Sequence, residues 1–127
     1  MTEFGKPYVK DLNAEFNISH SNNMVVCAVH NIPIGIDVEE IRPIDLLIAK
    51  RVCDEEELKY IFGYLPNDED FKFSEDLAVL KRFFEIWTAK EAHSKCVGKG
   101  LSIINQPANC HFKKTIFDEE YIISIAY

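Results

Sequence analysis

One face of a predicted helix changes from apolar to charged side chains within two turns. The stretch FEIWTAKEAHSKCVGKG (84–100) has helical spacing, and its apolar face extends upstream in steps of three and four residues. In order, that face carries Leu77, Leu80, Phe84, Trp87 and Glu91, with Lys95 one turn further on. Removing an unpaired carboxylate from water is costly. The helix therefore either leaves the core at Glu91, which gives an exposed Glu91–Lys95 pair, or leads into a pocket that holds a cation and an anionic ligand.

Short apolar runs on both sides of this helix predict strands. On its N-terminal side they are FNIS (16–19), MVVCAVH (24–30) and IPIGIDVE (32–39), and the tail CHFKKTIFDEEYIISIAY predicts a hairpin. Between the strand runs and the long helix, IDLLIAKRV and DEEELKYIFGYL predict shorter helices. This order predicts an α+β fold in which a small antiparallel sheet packs against the long helix, with residues 1–127 forming one domain.

Capping residues predict where the helices begin and end. Asp54 and Ser74 are the predicted N-caps of the second and the long helix, because their side chains can accept hydrogen bonds from first-turn N–H groups. Gly98 and Gly100 predict the end of the long helix. The segment GYLPNDEDFKF (63–73) is rich in turn-forming and acidic residues, which predicts a loop.

Charge and composition exclude several classes of function. Fourteen Lys and Arg against 21 Asp and Glu give a net charge of −7, so nucleic acid is not an expected partner. No apolar run approaches the roughly 20 residues of a membrane span, which predicts no membrane partner. The four cysteines are widely spaced without a CxxC pair, which predicts reduced thiols and a cytoplasmic location. A local cluster of Lys90, His93, Lys95 and Lys99 favours a small polyanion.

The acids of GIDVE (35–39) are candidate metal ligands. In a strand, Gly35, Asp37 and Glu39 point to one face, with the two carboxylates about 6–7 Å apart along the strand. Both can then reach one hard cation such as Mg²⁺, which prefers a few carboxylate oxygens plus water and substrate phosphate. The alternative is an ordinary antiparallel strand whose polar side faces solvent.

Two further short motifs offer groups that bind phosphate. Within FNISHS (16–21), Ser19, His20 and Ser21 supply hydroxyls, an imidazole and turn N–H groups, although a simple polar turn between strands explains them equally. GKP at residues 5–7 alone indicates only a turn.

The order of these motifs identifies a family. GKPY, FNISHS, GIDVE and WTAKEAHSKCVGKGL, in this sequence, resemble the 4'-phosphopantetheinyl transferases, and the surfactin-synthetase-activating (Sfp-like) type in particular. Members of that type are pseudo-dimers of two similar halves, and this chain resembles the second half from Gly5 through the closing hairpin. The resemblance implies Mg²⁺-dependent transfer of 4'-phosphopantetheine from coenzyme A to a serine of an apo acyl or peptidyl carrier protein, with release of 3',5'-ADP.

The resemblance also implies roles for the catalytic and metal-binding residues. Asp37 and Glu39 match the family's magnesium ligands. Glu91 matches a third acid, which binds metal and activates the carrier serine. Lys95 matches a lysine that contacts the pyrophosphate and assists the leaving group.

Further positions match the residues that hold coenzyme A. Ser19 and His20 match residues near the 3'-phosphate, and Lys6 with Pro7 matches the turn near the adenine. Lys99, from the basic cluster, joins Lys95 as a predicted coenzyme A contact. The segment IRPIDLLIAKR (41–51) matches the region that approaches the carrier, although an ordinary core helix explains its apolar residues equally.

The resemblance leaves the assembly and the activity open. Surfactin-type enzymes are longer and have a first half that this sequence does not contain, which predicts either a short form that self-associates or a piece of a longer protein. A single half would expose the apolar face that meets its partner half, so we expect a homo-oligomer, with a dimer favoured and a trimer as the alternative. The alternatives to an active transferase are a non-catalytic half-domain that binds coenzyme A or a carrier without turnover, and an unrelated Mg²⁺-dependent phosphohydrolase.

Overall fold

The computed structural model describes residues 15–104, 110 and 113–127, which form two compact units. The first unit contains the described residues up to Glu40 and from Thr88 onward, and the second is Ile41–Trp87. The elements in chain order are β1 (Glu15–Ser21), β2 (Met24–His30), β3 (Gly35–Glu40), β4 (Ile44–Asp45), α1 (Leu47–Val52), α2 (Glu55–Phe62), a 3-10 turn (Asp68–Asp70), β5 (Phe73–Ser74), α3 (Leu77–Ile104), β6 (Lys113–Asp118) and β7 (Tyr121–Ala126). The predicted α+β class is confirmed.

The first unit contains two antiparallel sheets. β1 pairs with β2 through a turn at Asn22 and Asn23, and Asn22 adopts a positive φ of 50°. The second sheet has the strand order β3-β7-β6. Its register places Asp37 opposite Ser124 and Gly35 opposite Ala126. The predicted strands and the closing hairpin are therefore confirmed, with shifts of a few residues at their ends.

Alternate residues of β3 contribute to two different packed faces. Ile36 is buried with Ala28 and Ile34 in a cluster that includes side chains from β2 and β7. The opposite face is covered by α3, because a Cβ added to Gly35 would lie 1.9 Å from the carbonyl oxygen of Ala92. Asp37 lies on this helix-covered face and is 7% exposed. The alternative of a strand with its polar side in solvent is therefore excluded for Asp37.

The buried line along α3 differs from the predicted stripe. Leu80 and Phe84 are buried as expected, but Leu77 is 57% exposed and Trp87 is only half-buried. Beyond Phe84, the completely buried positions are Thr88, Ala92 and Cys96, each four residues after the last. Their small side chains let the backbone of β3 approach the helix, so Glu91 and Lys95 lie half-buried beside the line rather than on it.

Both predicted ends of α3 are wrong. Asp76 caps its start by accepting from the N–H of Ala78 at 3.1 Å, whereas Ser74 lies in β5. The helix continues through both glycines to Ile104, because a glycine inside a helix costs only about 1 kcal/mol and does not break it. No helix in the described ranges combines the length and apolar character that crossing a bilayer requires.

The second unit has a clearly defined helix at α2. Asp54 is its N-cap as predicted, in a capping box with Glu57, and Gly63 ends it in a left-handed conformation at φ 83°. The predicted loop over 63–73 is partly ordered, because it contains the 3-10 turn capped by Asn67, and Phe73 pairs with Asp45.

The cysteine prediction is wrong for one pair. Cys96 of α3 and Cys110 form a disulfide, with their Cα atoms 6.5 Å apart. Their separation of 14 residues has no recognisable sequence spacing, and the fold alone brings the two thiols together.

Candidate functional site

The centre of the site is an ion pair between β3 and α3. Lys95 Nζ donates to Asp37 Oδ1 at 3.3 Å and to the carbonyl oxygen of Ile36 at 2.8 Å. The side chains of Lys95 and Asp37 are 29% and 10% exposed, so the pair is only partly screened by solvent. Two residues that sequence analysis assigned to different motifs therefore meet within one compact unit.

The electrostatics of Asp37 reflect burial that its neighbours only partly offset. The pKa of this carboxyl is raised from 3.8 to about 6, and burial is the largest cause. The negative charge of Glu39 also acts to raise the pKa, whereas the charge and hydrogen bond of Lys95 and the hydrogen bond from Ser19 partly offset the rise. The carboxylate is therefore held in a place where an additional positive charge would be favourable.

One oxygen of Asp37 lacks a hydrogen-bond partner among the described residues. Oδ1 accepts from Lys95 and from Ser19, but Oδ2 is buried and no described donor reaches it. A buried, partnerless carboxylate oxygen beside a second acid fits a hard divalent cation, which accepts one or two protein carboxylates plus substrate phosphate. Asp37 and Glu39 are thus the residues that fit such an ion.

Glu91 does not complete a three-acid cluster in the described structure. Within residues 15–104, 110 and 113–127, no three His, Cys, Asp or Glu side chains converge closely enough to hold an ion. Glu91 lies half-buried on α3, one turn before Lys95. The structure therefore brings Asp37, Glu39 and Lys95 together, and places Glu91 on α3 one turn before Lys95 without convergence with the two acids.

The two residues predicted near a phosphate lie on opposite sides of β1. Ser19 is 7% exposed, and its hydroxyl donates to Asp37 Oδ1 at 3.2 Å. His20 is exposed on the other face of the strand. Lys99 lies within α3, but its side chain is outside the described part of the chain, as are Lys6 and Pro7 altogether.

Sequence analysis missed a set of hydroxyl and amide contacts that hold the site together. Side chains of β1 accept from backbone N–H groups of β3, and Thr88 of α3 shares a 2.7 Å hydrogen bond with Ser124 of β7. Polar residues alternating with apolar ones in FNISHS were the available signal, because an alternating polar face on a strand can be the buried one. Gly35 makes room for the backbone of α3, because a Cβ there would meet the carbonyl oxygen of Ala92.

Comparison with known proteins identifies relatives of this chain. The family model of the 4'-phosphopantetheinyl transferase superfamily matches residues 33–124, which include Asp37, Glu39, Glu91 and Lys95. The chain is 42% identical over 101 residues to the 4'-phosphopantetheinyl transferase gsp of Aneurinibacillus migulanus, and 42% identical over 102 residues to 4'-phosphopantetheinyl transferase Sfp of Bacillus subtilis strain 168. It is 37% identical over 109 residues to 4'-phosphopantetheinyl transferase HetI of a Nostoc species.

These relatives are much longer than the matched region. Each alignment covers 80% of this chain but only 38%, 41% and 42% of the gsp, Sfp and HetI proteins, respectively. The chain therefore spans about two fifths of the length of the curated relatives that it matches.

Proposed function

Since the chain belongs to the 4'-phosphopantetheinyl transferase superfamily, with Sfp-like relatives, we propose that it catalyses transfer of 4'-phosphopantetheine from coenzyme A to a serine of an apo acyl or peptidyl carrier protein. One observation carries this proposal. A buried aspartate with a partnerless oxygen faces a lysine inside the segment that the family model matches. Such a pair of groups suits a pyrophosphate substrate, which needs positive charge close to its phosphoryl oxygens.

The proposed reaction is an attack on the β-phosphorus of coenzyme A, the phosphorus that carries pantetheine. The serine Oγ–P bond forms, the bridging P–O bond of the pyrophosphate breaks, and 3',5'-ADP leaves. Glu91 is the proposed base that accepts the serine proton, because it is a half-buried carboxylate one helical turn from Lys95. Lys95 is the proposed donor that stabilises negative charge on the leaving pyrophosphate oxygen, for which it must release Asp37 in part.

Magnesium is the proposed cofactor. Asp37 and Glu39 would hold it from β3, and the bound ion would supply positive charge to the phosphoryl oxygens. The buried Oδ2 of Asp37 supports this assignment. Glu91 stays the predicted third acid on the strength of the motif match, although it does not converge with the other two acids in the described structure.

Coenzyme A is proposed to contact basic and turn residues of this chain, of which Lys95 lies at the Asp37 ion pair and His20 lies on the face of β1 opposite to Ser19. Lys95 is the proposed pyrophosphate contact, and His20 is the proposed 3'-phosphate contact because its imidazole is exposed. Lys6, Pro7 and Lys99 remain predicted contacts on the strength of the motif match. Ser19 is the exception, because its hydroxyl already has two partners within the protein.

The carrier protein is proposed to approach α1. Leu47 and Ile48 are exposed on this helix, whereas Ala49 is buried, so the apolar pair is available for contact. Arg51 is exposed beside them and would face acidic groups of a carrier. Because Leu47 and Ile48 are exposed, the alternative that this segment is an ordinary core helix is wrong for these two residues.

A homo-oligomer is proposed on the basis of the outer face of the β1–β2 sheet. Ile18, Val25 and Val29 are 41%, 69% and 56% exposed, and they lie on the same side of the two paired strands. Apolar patches of this kind commonly mark interfaces. The dimer remains the favoured state and a trimer the alternative.

The test is intact-mass spectrometry of several apo carrier proteins incubated with this chain, coenzyme A and Mg²⁺. We expect a mass gain equal to one phosphopantetheine group, which disappears with EDTA. A panel without any gain, together with measurable binding of coenzyme A or of a carrier, would support the non-catalytic half-domain instead. Phosphate release from coenzyme A without a carrier would indicate a phosphohydrolase.

A further inference from the structure

Side chains of β1 form a ladder on one edge of β3. Asn17 Oδ1 accepts from the N–H of Ile36 at 2.7 Å, Ser19 Oγ from Val38 at 3.2 Å, and Ser21 Oγ from Glu40 at 2.9 Å. Each step advances two residues along both strands. The three side chains thus satisfy the N–H groups that β3 directs away from β7.

Ser19 differs from the other two members of this ladder. Its hydroxyl also donates to Asp37 Oδ1 at 3.2 Å, whereas Asn17 and Ser21 make no hydrogen bond to an acidic side chain among the described residues. The single hydroxyl proton of Ser19 is therefore committed to Asp37, and a lone pair is committed to Val38. A buried hydroxyl with both functions occupied has no proton left to donate to an anionic ligand.

The consequence for Asp37 is that one of its oxygens is fixed from two sides. Ser19 on β1 and Lys95 on α3 both donate to Oδ1. Two donors from different elements restrict rotation of the carboxylate and leave Oδ2 as the oxygen without a described partner. When Lys95 turns toward a phosphate, Ser19 is the donor that keeps Oδ1 in place.

We propose that Ser19 is a positioning residue, which orients the Asp37 carboxylate so that Oδ2 faces the cation, and that it does not contact coenzyme A. This inference rests on the proposed function, because it assumes a cation at Asp37. It replaces the 3'-phosphate role that the motif resemblance implied for Ser19. Hydrogen-bond partners of metal ligands typically contribute 10–100-fold to metal affinity.

The test is Mn²⁺ binding, followed by the electron paramagnetic resonance signal of unbound Mn²⁺, with and without coenzyme A. Ser19→Ala should weaken Mn²⁺ binding by about 10-fold or more, and Ser19→Thr, which keeps the hydroxyl, should restore it to within about threefold. Ser21→Ala is the matched control, because it removes an equivalent ladder contact without touching Asp37, and its Mn²⁺ affinity should equal that of the unmodified chain. Circular dichroism checks that each variant is folded.

Three outcomes would overturn the inference, and they can be told apart. Equal Mn²⁺ affinity for Ser19→Ala and Ser21→Ala shows that Ser19 has no positioning role. Loss of coenzyme A affinity in EDTA for Ser19→Ala shows that Ser19 contacts the nucleotide, and leaves the proposed function intact. If the unmodified chain binds no Mn²⁺ under either condition, the magnesium part of the proposed function fails together with the inference.

Discussion

Gly35 and Asp37 lie two residues apart on the helix-facing side of β3, and each is explained by what α3 places opposite it. Gly35 has no side chain because the carbonyl oxygen of Ala92 occupies the space that a Cβ would need. The carboxylate of Asp37 is paired with Lys95, which lies on α3 one turn beyond Ala92. The short distance between the two backbones at Gly35 therefore sets the geometry of the ion pair.

Substituting Gly35 tests this close approach. A Cβ would lie 1.9 Å from the Ala92 oxygen and 2.7 Å from the Cys96 nitrogen, and neither backbone atom can move without shifting the helix. Gly35→Ala should lower the free energy of unfolding by about 3 kcal/mol. Gly98→Ala is the matched control, since nothing lies within 4 Å of its added Cβ, and it should raise stability by roughly 0.5–1 kcal/mol. Urea denaturation measures both, and a neutral Gly35→Ala would contradict the packing.

The raised pKa of Asp37 predicts how stability depends on pH in EDTA. The pKa rises from 3.8 to about 6 on folding, so the folded chain binds the proton more tightly and ionisation is unfavourable. The free-energy cost of ionising Asp37 in the folded chain is small below the pKa of the unfolded state, and it reaches its full value above the pKa of the folded state. Asp37→Asn should therefore gain about 2 kcal/mol relative to the unmodified chain between about pH 4.5 and about pH 7.5. A stability difference between the two proteins that does not change with pH would rule out the shift.

At the scale of elements, the sequence predicted the strands and helices better than the way they pack. Short apolar runs and turn residues indicated β1, β2 and β3, and the N-cap Asp54 indicated α2. Helical periodicity indicated α3 but placed the buried line through Glu91, whereas the small residues at Thr88 and Ala92 are the ones in contact with the sheet. Apolar size was the wrong criterion there, because close backbone packing selects small side chains.

The candidate site could be predicted as a set of residues but not as a set of contacts. Two acids at alternate strand positions and a lysine on the helix are visible in the sequence, and Asp37 and Lys95 do meet. The alternation in FNISHS places Ser19 and His20 on opposite faces of β1, but it does not say which of the two faces packs against β3. The hydrogen bonds from β1 side chains to the β3 backbone likewise depend on which face of β1 packs against β3.

The disulfide that joins Cys96 of α3 to Cys110 can be tested directly. A disulfide that closes a loop of this size contributes about 3 kcal/mol. A chain purified without reductant should therefore show two reactive thiols out of four, and reductant should lower its free energy of unfolding by that amount. Cys110→Ala should be insensitive to reductant. Four reactive thiols in the untreated chain would contradict the cross-link.

At the scale of the whole molecule, the exposed apolar face of the β1–β2 sheet predicts self-association. Val25 and Val29 are both exposed on the same face of β2. Analytical ultracentrifugation at micromolar concentration should give the mass of a dimer, and Val25→Lys should shift it to that of a monomer because a charge in the interface must be desolvated. Leu65→Lys, at a 52% exposed position outside this face, is the control. A monomeric unmodified chain would contradict the prediction.

Asp37 and Lys95 are the proposed reaction centre of a phosphopantetheinyl transferase. The most direct measurement is the initial rate of phosphopantetheine mass gain on an apo carrier protein, compared between the unmodified chain, Asp37→Asn and Asp45→Asn. Asp45 is exposed and caps the N–H of Leu47 at 2.9 Å, a contact that asparagine retains, so this control should keep full activity. Asp37→Asn should lose at least about 100-fold in rate. Equal rates for the two variants would show that the buried aspartate is not part of the reaction centre.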